Sequence, residues 1–157
     1  MAAIISAMEP SQRHQFADIW TPWLKGMGRE PEPEDLAIMA DPLEAYAKSG
    51  GAVFLAHLDG VCVGAVAVKA LDGGNYEFCK LVVTENARGH GLGKTLVQAC
   101  LDFVHNAGGK ALYLQSFKAL DVALELYAKM GFAHCPAPAN MLVLDRTEVI
   151  MAKFVEA

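Results

Sequence analysis

An apolar strand that runs through a glycine-rich turn straight into a helix constrains this chain more than any other feature. Glu77-Phe78-Cys79-Lys80-Leu81-Val82-Val83 reads as the strand, Gly89, Gly91 and Gly93 alternate in the turn, and helical residues follow at once. Alternating glycines open backbone dihedrals that other residues avoid and leave room for an anion to approach the amides. The first N–H groups of a helix have no partner within it, and the macrodipole adds about half a positive charge at that end. Such a turn is a seat for pyrophosphate. Arg88 and Lys94 flank it as cations able to neutralise phosphate, while His90, inside the loop, offers its backbone amide.

The register of the glycines decides which phosphate ligand is meant. A nucleoside-triphosphate loop needs Gly-x-x-x-x-Gly-Lys-Ser/Thr. Gly93-Lys94-Thr95 supplies its end, but Arg88 stands where the first glycine belongs. The next apolar strand, Ala111-Leu112-Tyr113-Leu114-Gln115-Ser116, lacks the terminal aspartate that would help to hold magnesium. The dinucleotide fingerprint Gly-x-Gly-x-x-Gly fails too, because the third glycine comes one residue early.

Arg88-Gly89-His90-Gly91-Leu92-Gly93 resembles the Arg/Gln-x-x-Gly-x-Gly/Ala loop of the GNAT superfamily of acetyl-coenzyme A-dependent N-acetyltransferases. About forty residues on, Leu126-Tyr127-Ala128-Lys129-Met130-Gly131-Phe132 resembles the Leu-Tyr-x-Lys-x-Gly-Phe segment that ends the last helix of these enzymes. The resemblance implies that Arg88, Gly89, His90, Gly91, Leu92, Gly93 and Lys94 hold the pyrophosphate of acetyl-coenzyme A, with coenzyme A as product. It also implies that the strand end Leu81, Val82 and Val83 splays from its neighbour, so that main-chain groups pair with the pantetheine arm and one N–H faces the acetyl carbonyl. Tyr127 takes the place of the family tyrosine that protonates the departing thiolate. Leu120 stands where many members carry an asparagine that bonds the pantetheine, a departure that puts that contact in doubt.

An ammonium cannot attack until it loses a proton, so a base is needed. Glu77, early in the strand that leads to the loop, occupies the position of a family glutamate with that role; it could equally bind the substrate's charge or face solvent. His134, Asp72 and Glu148 are weaker candidates, and His57 reads as a strand residue facing solvent or a neighbour. Cys79 is the nearest nucleophile, but no His or basic partner adjoins it, and strand alternation places Lys80 on the opposite face. Direct attack by the amine is therefore expected rather than a covalent acyl-enzyme.

The remaining chain reads as a β-α-α-β-β-β-α-β-α-β-β order, a mixed α/β, GNAT-like fold with a central, mostly antiparallel sheet flanked by helices, in one domain over residues 1–157. The expected elements are a strand over 2–8, a helix over 12–25 kinked or split by Pro22, and a helical region over 34–49 interrupted at Asp41-Pro42. A hairpin over 53–68 turning at Asp59-Gly60, a strand over 76–83 and a helix over 91–106 come next. Strand 111–116, helix 119–130 and strands near 132–135 and 148–155 close the order. Trp20, Trp23, Met27 and Met39 fall in the part that forms one acceptor wall in this family, although their helical spacing also suits a core. Pro136 to Asn140 could form the opposite wall.

The net charge of −5 argues against a general nucleic-acid binder, which needs a basic face. It suits a cationic acceptor, either a small molecule or a peptide amine. The four widely spaced cysteines suggest no metal site and read as free thiols of a reducing cytoplasm. Met1 to Met8 is too short, and too soon followed by Glu9-Pro10, for a signal peptide or membrane span. A homodimer is compatible with all of this. Two other classes stay open, a non-catalytic acyl-coenzyme A-binding or regulatory domain and a nucleotide-phosphate enzyme built on Gly93-Lys94-Thr95.

Overall fold

A computed structural model describes residues 3–155, so Met1 and Ala2, the latter at the start of the first expected strand, lie outside it. The elements are β1 (Ile4–Ala7), α1 (Arg13–Gly26), α2 (Pro33–Ala40), β2 (Ala52–Leu58), β3 (Val61–Ala70), β4 (Asn75–Val83), α3 (Leu92–Asn106), β5 (Ala111–Ser116), α4 (Asp121–Lys129), β6 (Ala133–His134) and β7 (Val149–Phe154). They form a seven-stranded sheet in the order β1-β2-β3-β4-β5-β7-β6, in which β4 and β5 run parallel and the other neighbours antiparallel. This is the element order expected from the sequence.

Strand β3 explains how the layers stack. Its run Val63–Val68 is buried throughout, because the sheet is covered on both faces. Val66 and Val68 pack with Leu96, Val97 and Cys100 of α3 and with Tyr127 of α4. Ala65 and Ala67 pack the other way, with Phe16, Trp20 and Leu24 of α1 and Met39 of α2. Side chains buried as fully as Phe16 and Leu24 contribute about 1.5–3 kcal/mol each by leaving water.

Two local features depart from expectation. Pro22 neither splits nor ends α1, which runs unbroken; Pro22 and Asp18, one turn earlier, are both exposed, so water can serve the carbonyl that proline leaves without a donor. The second helical region does break near Asp41-Pro42, but beyond it Leu43–Ala47 forms a single π-helical turn. Gly51 then lets the chain pass close to β3, where an added Cβ would lie 1.9 Å from the Val68 carbonyl oxygen.

Strand β4 positions the site. Ala65 of β3 faces Val82, yet Ala67 faces Cys79, so β4 carries an extra residue at Lys80-Leu81. Lys80 adopts the left-handed conformation, with φ of 58°. On its other edge β4 pairs with β5 only through Asn75, Tyr76 and Glu77, opposite Ala111, Leu112 and Tyr113. Past Glu77 the strands part.

Candidate active site

A cleft of about 110 Å³ opens in the gap where β4 and β5 separate. Glu77 to Leu81 line one side and Leu114 to Phe117 the other, with Tyr127 at one face and Trp20 and Trp23 at the other.

Main-chain groups are available along the gap. The Thr84 amide donates to the Val63 carbonyl at 2.8 Å, which turns Thr84 toward β3; strand alternation then turns the main-chain groups of Val83 and Leu81 toward the opening. Accordingly, the Val83 carbonyl accepts from Nε of Arg88 at 3.3 Å. Val82 points its side chain into the core beside α1.

The glycine loop follows. Gly89 and Gly91 have φ of 84° and 74°, and an added Cβ at either would meet nothing within 4 Å. These glycines are needed for their dihedrals and leave open space in front of the backbone. Gly91 caps α3, its carbonyl accepting both the amide of Thr95 at 3.0 Å and its hydroxyl at 2.9 Å. No acceptor among the described residues takes the amides of Leu92, Gly93 or Lys94. Arg88, His90 and Lys94 are exposed around this mouth. A cradle of free amides at a helix N-terminus, flanked by the Arg88 and Lys94 cations and opening on a slot edged with unpaired backbone, fits an extended pyrophosphate ligand such as coenzyme A.

Tyr127 lies in the last turn of α4, 5% exposed, with its ring edge-on to Phe78 at 5.3 Å and to Phe132 at 6.1 Å. Burial pushes its phenol well above the ordinary value, so the hydroxyl holds its proton. It lines the cleft, and no described residue hydrogen-bonds it. Leu120 lines the same cleft as an apolar wall.

Glu77 is 4% exposed at the last position where β4 pairs with β5, and Nε2 of Gln115 donates to its Oε2 at 2.9 Å. Burial raises this carboxyl above the ordinary range, against the opposing pull of Gln115 and Lys69. Phe78, next in sequence, packs against Tyr127 on the α3–α4 face, so Glu77 belongs to the face covered by α1 and α2. The gap between β4 and β5 joins the two. The weaker candidates are elsewhere: Asp72 accepts from the Asn140 side chain, the Glu148 carboxylate accepts the Lys118 amide at 2.9 Å, and His134 is exposed on β6. His57 meets Gln15 at 2.7 Å.

Lys80 is not on the far face from Cys79. The bulge breaks the alternation: the lysine and Cys79 both face α1 and α2 and line the cleft. The thiol is not activated by this neighbour, because burial, reinforced by Glu77, holds it well above its ordinary value.

Among the expected wall residues, Trp20 and Trp23 line the cleft, Met39 is core, and Met27 is 37% exposed. The opposite wall is built from Leu144, Arg146 and Thr147, further along the same connection than Pro136 to Asn140. Gln115 holds that wall: Nε2 also donates to the Leu142 carbonyl at 2.8 Å, and Oε1 accepts the Leu144 amide at 2.9 Å and the Thr147 hydroxyl. Arg29 stacks on Phe117 at 4.1 Å. Gln115, Asp35, Lys80 and Arg146 were not legible as site residues from sequence. Only the lone polar residue Gln115, in an otherwise apolar strand interior, carried a signal.

A model of the acetyltransferase (GNAT) family matches residues 13–132. The chain is 29% identical over 104 residues to the uncharacterized N-acetyltransferase YjgM of Escherichia coli, a match that covers 61% of this chain and 62% of that protein, less than two thirds of its length. A GNAT-family acetyltransferase of Staphylococcus aureus superposes with a TM-score of 0.92 at 19% identity, over 99% of this chain and 100% of that one. The PaiA N-acetyltransferase of Thermoplasma acidophilum, solved in complex with coenzyme A, superposes with a TM-score of 0.76 at 16% identity, over 98% and 99% of the two chains.

Proposed function

Because the chain belongs to the GNAT acetyltransferase family, we propose that it is an N-acetyltransferase that moves an acetyl group from acetyl-coenzyme A to an amine by direct attack. The observation that carries this reading is the slot between β4 and β5, with free amides at one end and Glu77 and Tyr127 on its two faces. Acetyl-coenzyme A supplies the activated acetyl thioester.

The amides of Leu92, Gly93 and Lys94, with Arg88 beside them, hold the pyrophosphate, and the backbone of Leu81 and Val83 edges the slot for the arm. Glu77, its carboxyl held above the ordinary value by burial, accepts a proton from the acceptor ammonium on the α1–α2 face. Trp20, Trp23 and the wall of Leu144 and Thr147 exclude water around that amine. On the opposite face Tyr127, kept protonated by burial, delivers a proton to the leaving sulfur.

The decisive experiment measures thiol release from acetyl-coenzyme A with a panel of small amines, amino acids and peptides, beside calorimetry with coenzyme A and ATP. Coenzyme A binding together with amine-dependent thiol release supports the reading. Binding without release on any amine would make the chain a non-catalytic acyl-coenzyme A domain, and preference for ATP with magnesium would overturn the cradle.

A further inference from the structure

Lys80, Asp35 and Arg146 form a buried ionic cluster that ties three separate elements to one point. Nζ of Lys80, at the bulge of β4, lies 2.8 Å from Oδ1 of Asp35 in α2, with side-chain exposures of 7% and 2%. Arg146, from the connection that walls the cleft, reaches Oδ2 of the same carboxylate with Nη1 at 3.1 Å and Oδ1 with Nη2 at 3.4 Å. It also meets Glu32 at 2.6 Å. Asp35 further accepts the Glu32 amide at 2.9 Å, and the Lys80 ammonium lies 4.8 Å over the Trp20 ring.

The backbone at Lys80 makes this more than packing. A non-glycine residue at φ of 58° holds a conformation that L side chains seldom adopt, and such residues persist where their surroundings over-determine them. The surroundings here are the ion pair and the indole. The residue so held is the extra one that lets β4 leave register with β3 before its edge opens on the slot.

We propose that Asp35 is a positioning residue: by gripping Lys80 and Arg146 together it fixes the β4 bulge that shapes the cofactor slot and locks the acceptor wall to it. The role rests on the acetyltransferase reading for its catalytic consequence, but the lock itself does not depend on that reading. Asp35 touches no reacting atom; it acts through the backbone of Lys80 to Val83 and through the Arg146 loop.

The test uses Asp35→Asn alone and the double variant Asp35→Asn with Lys80→Met in the full chain. The double variant leaves no unpaired buried charge on the lysine side, while Arg146 keeps Glu32, so it guards against a single variant that fails to fold. Two readouts are taken: amide hydrogen exchange over residues 79–84 against the β2–β3 hairpin, and kcat and KM for acetyl-coenzyme A with one amine. The lock predicts faster exchange over 79–84, with the β2–β3 hairpin unchanged, in the folded double variant, and kcat down about 10-fold or more, in keeping with the cost of a small misplacement. Unchanged exchange at 79–84, or parental kcat and KM in a folded double variant, overturns it. A parent protein without transferase activity would instead sink the acetyltransferase reading, and the exchange result would then decide the lock alone.

Discussion

Gln115 donates from Nε2 to Oε2 of Glu77 at 2.9 Å and from the same nitrogen to the Leu142 carbonyl at 2.8 Å. One amide therefore orients the proposed base and holds the wall of the acceptor cleft. With Oε1 taken by the Leu144 amide and the Thr147 hydroxyl, it cannot flip without losing partners on both sides.

Glu77 sets the pH dependence. Since burial raises its pKa, the acidic limb of kcat/KM is expected above the ordinary carboxylate range, with activity rising as the carboxyl loses its proton. Glu77→Gln should lower kcat by about 10²-fold and erase that limb. The folded carboxyl keeps its proton to higher pH than the unfolded one, so stability declines as pH rises from the unfolded value through the raised folded value. A pH–rate profile of both proteins decides; an intact limb in the variant would remove Glu77 as base.

Tyr127→Phe keeps the ring contacts with Phe78 and Phe132 and deletes a hydroxyl that bonds to no described residue. Its melting temperature and coenzyme A affinity should match the parent. Turnover should fall by about 10²-fold, within the range of a lost general acid. Parental turnover under conditions where chemistry limits the rate would make Tyr127 a packing residue.

Two glycines of the loop should respond differently. Gly91→Val forces a β-branched residue into φ of 74°, costing about 1–2 kcal/mol, and intrudes on the open space before the amides, so coenzyme A binding should be lost. Gly93→Ala places a methyl 3.6 Å from Leu126, an ordinary contact, and should leave fold and affinity near parental. Calorimetry on the pair checks this. Equal behaviour of the two variants would contradict the assigned geometry.

Asp35 governs acid stability. Burial alone would raise its carboxyl, but Lys80, the Glu32 amide and Arg146 together hold it below the ordinary 3.8. Its contribution is therefore present above that value and lost as pH falls through the depressed folded pKa. Asp35→Ala should destabilise by about 3–5 kcal/mol at neutral pH, because it strands the Lys80 ammonium. It should also flatten the acid-unfolding limb. Urea titrations between pH 2 and pH 7, a range of roughly the carboxylate titration interval, measure both effects.

The element order and the glycine loop were legible because each is local. Gly89 and Gly91 advertise left-handed backbone by residue type, and the hairpin at Asp59-Gly60 does the same, with φ of 51° and 80°. The fate of Lys80 was not legible. Nothing in its residue type marks left-handed backbone, and its partner Asp35 is 45 residues away, so strand alternation gave the wrong face. Arg146 is further still from Asp35, 111 residues along the chain. Gln115 stood out only as a polar residue inside an apolar strand, which does not disclose the four partners that converge on it. Pro22 failed to break α1 because the break depends on solvent access to a carbonyl, which a sequence does not display.

The strands stand in the sheet almost in the order in which they are made, and β4 and β5 meet through only three residue pairs. The slot therefore exists only where the earlier half of the chain has docked onto the later half. A molecule with its β2–β3–β4 meander built but β5 and β7 still undocked has the loop and the strand edge, yet no second wall. A ligand spanning that seam thus selects finished molecules over half-assembled ones, and by mass action it favours completion of the fold.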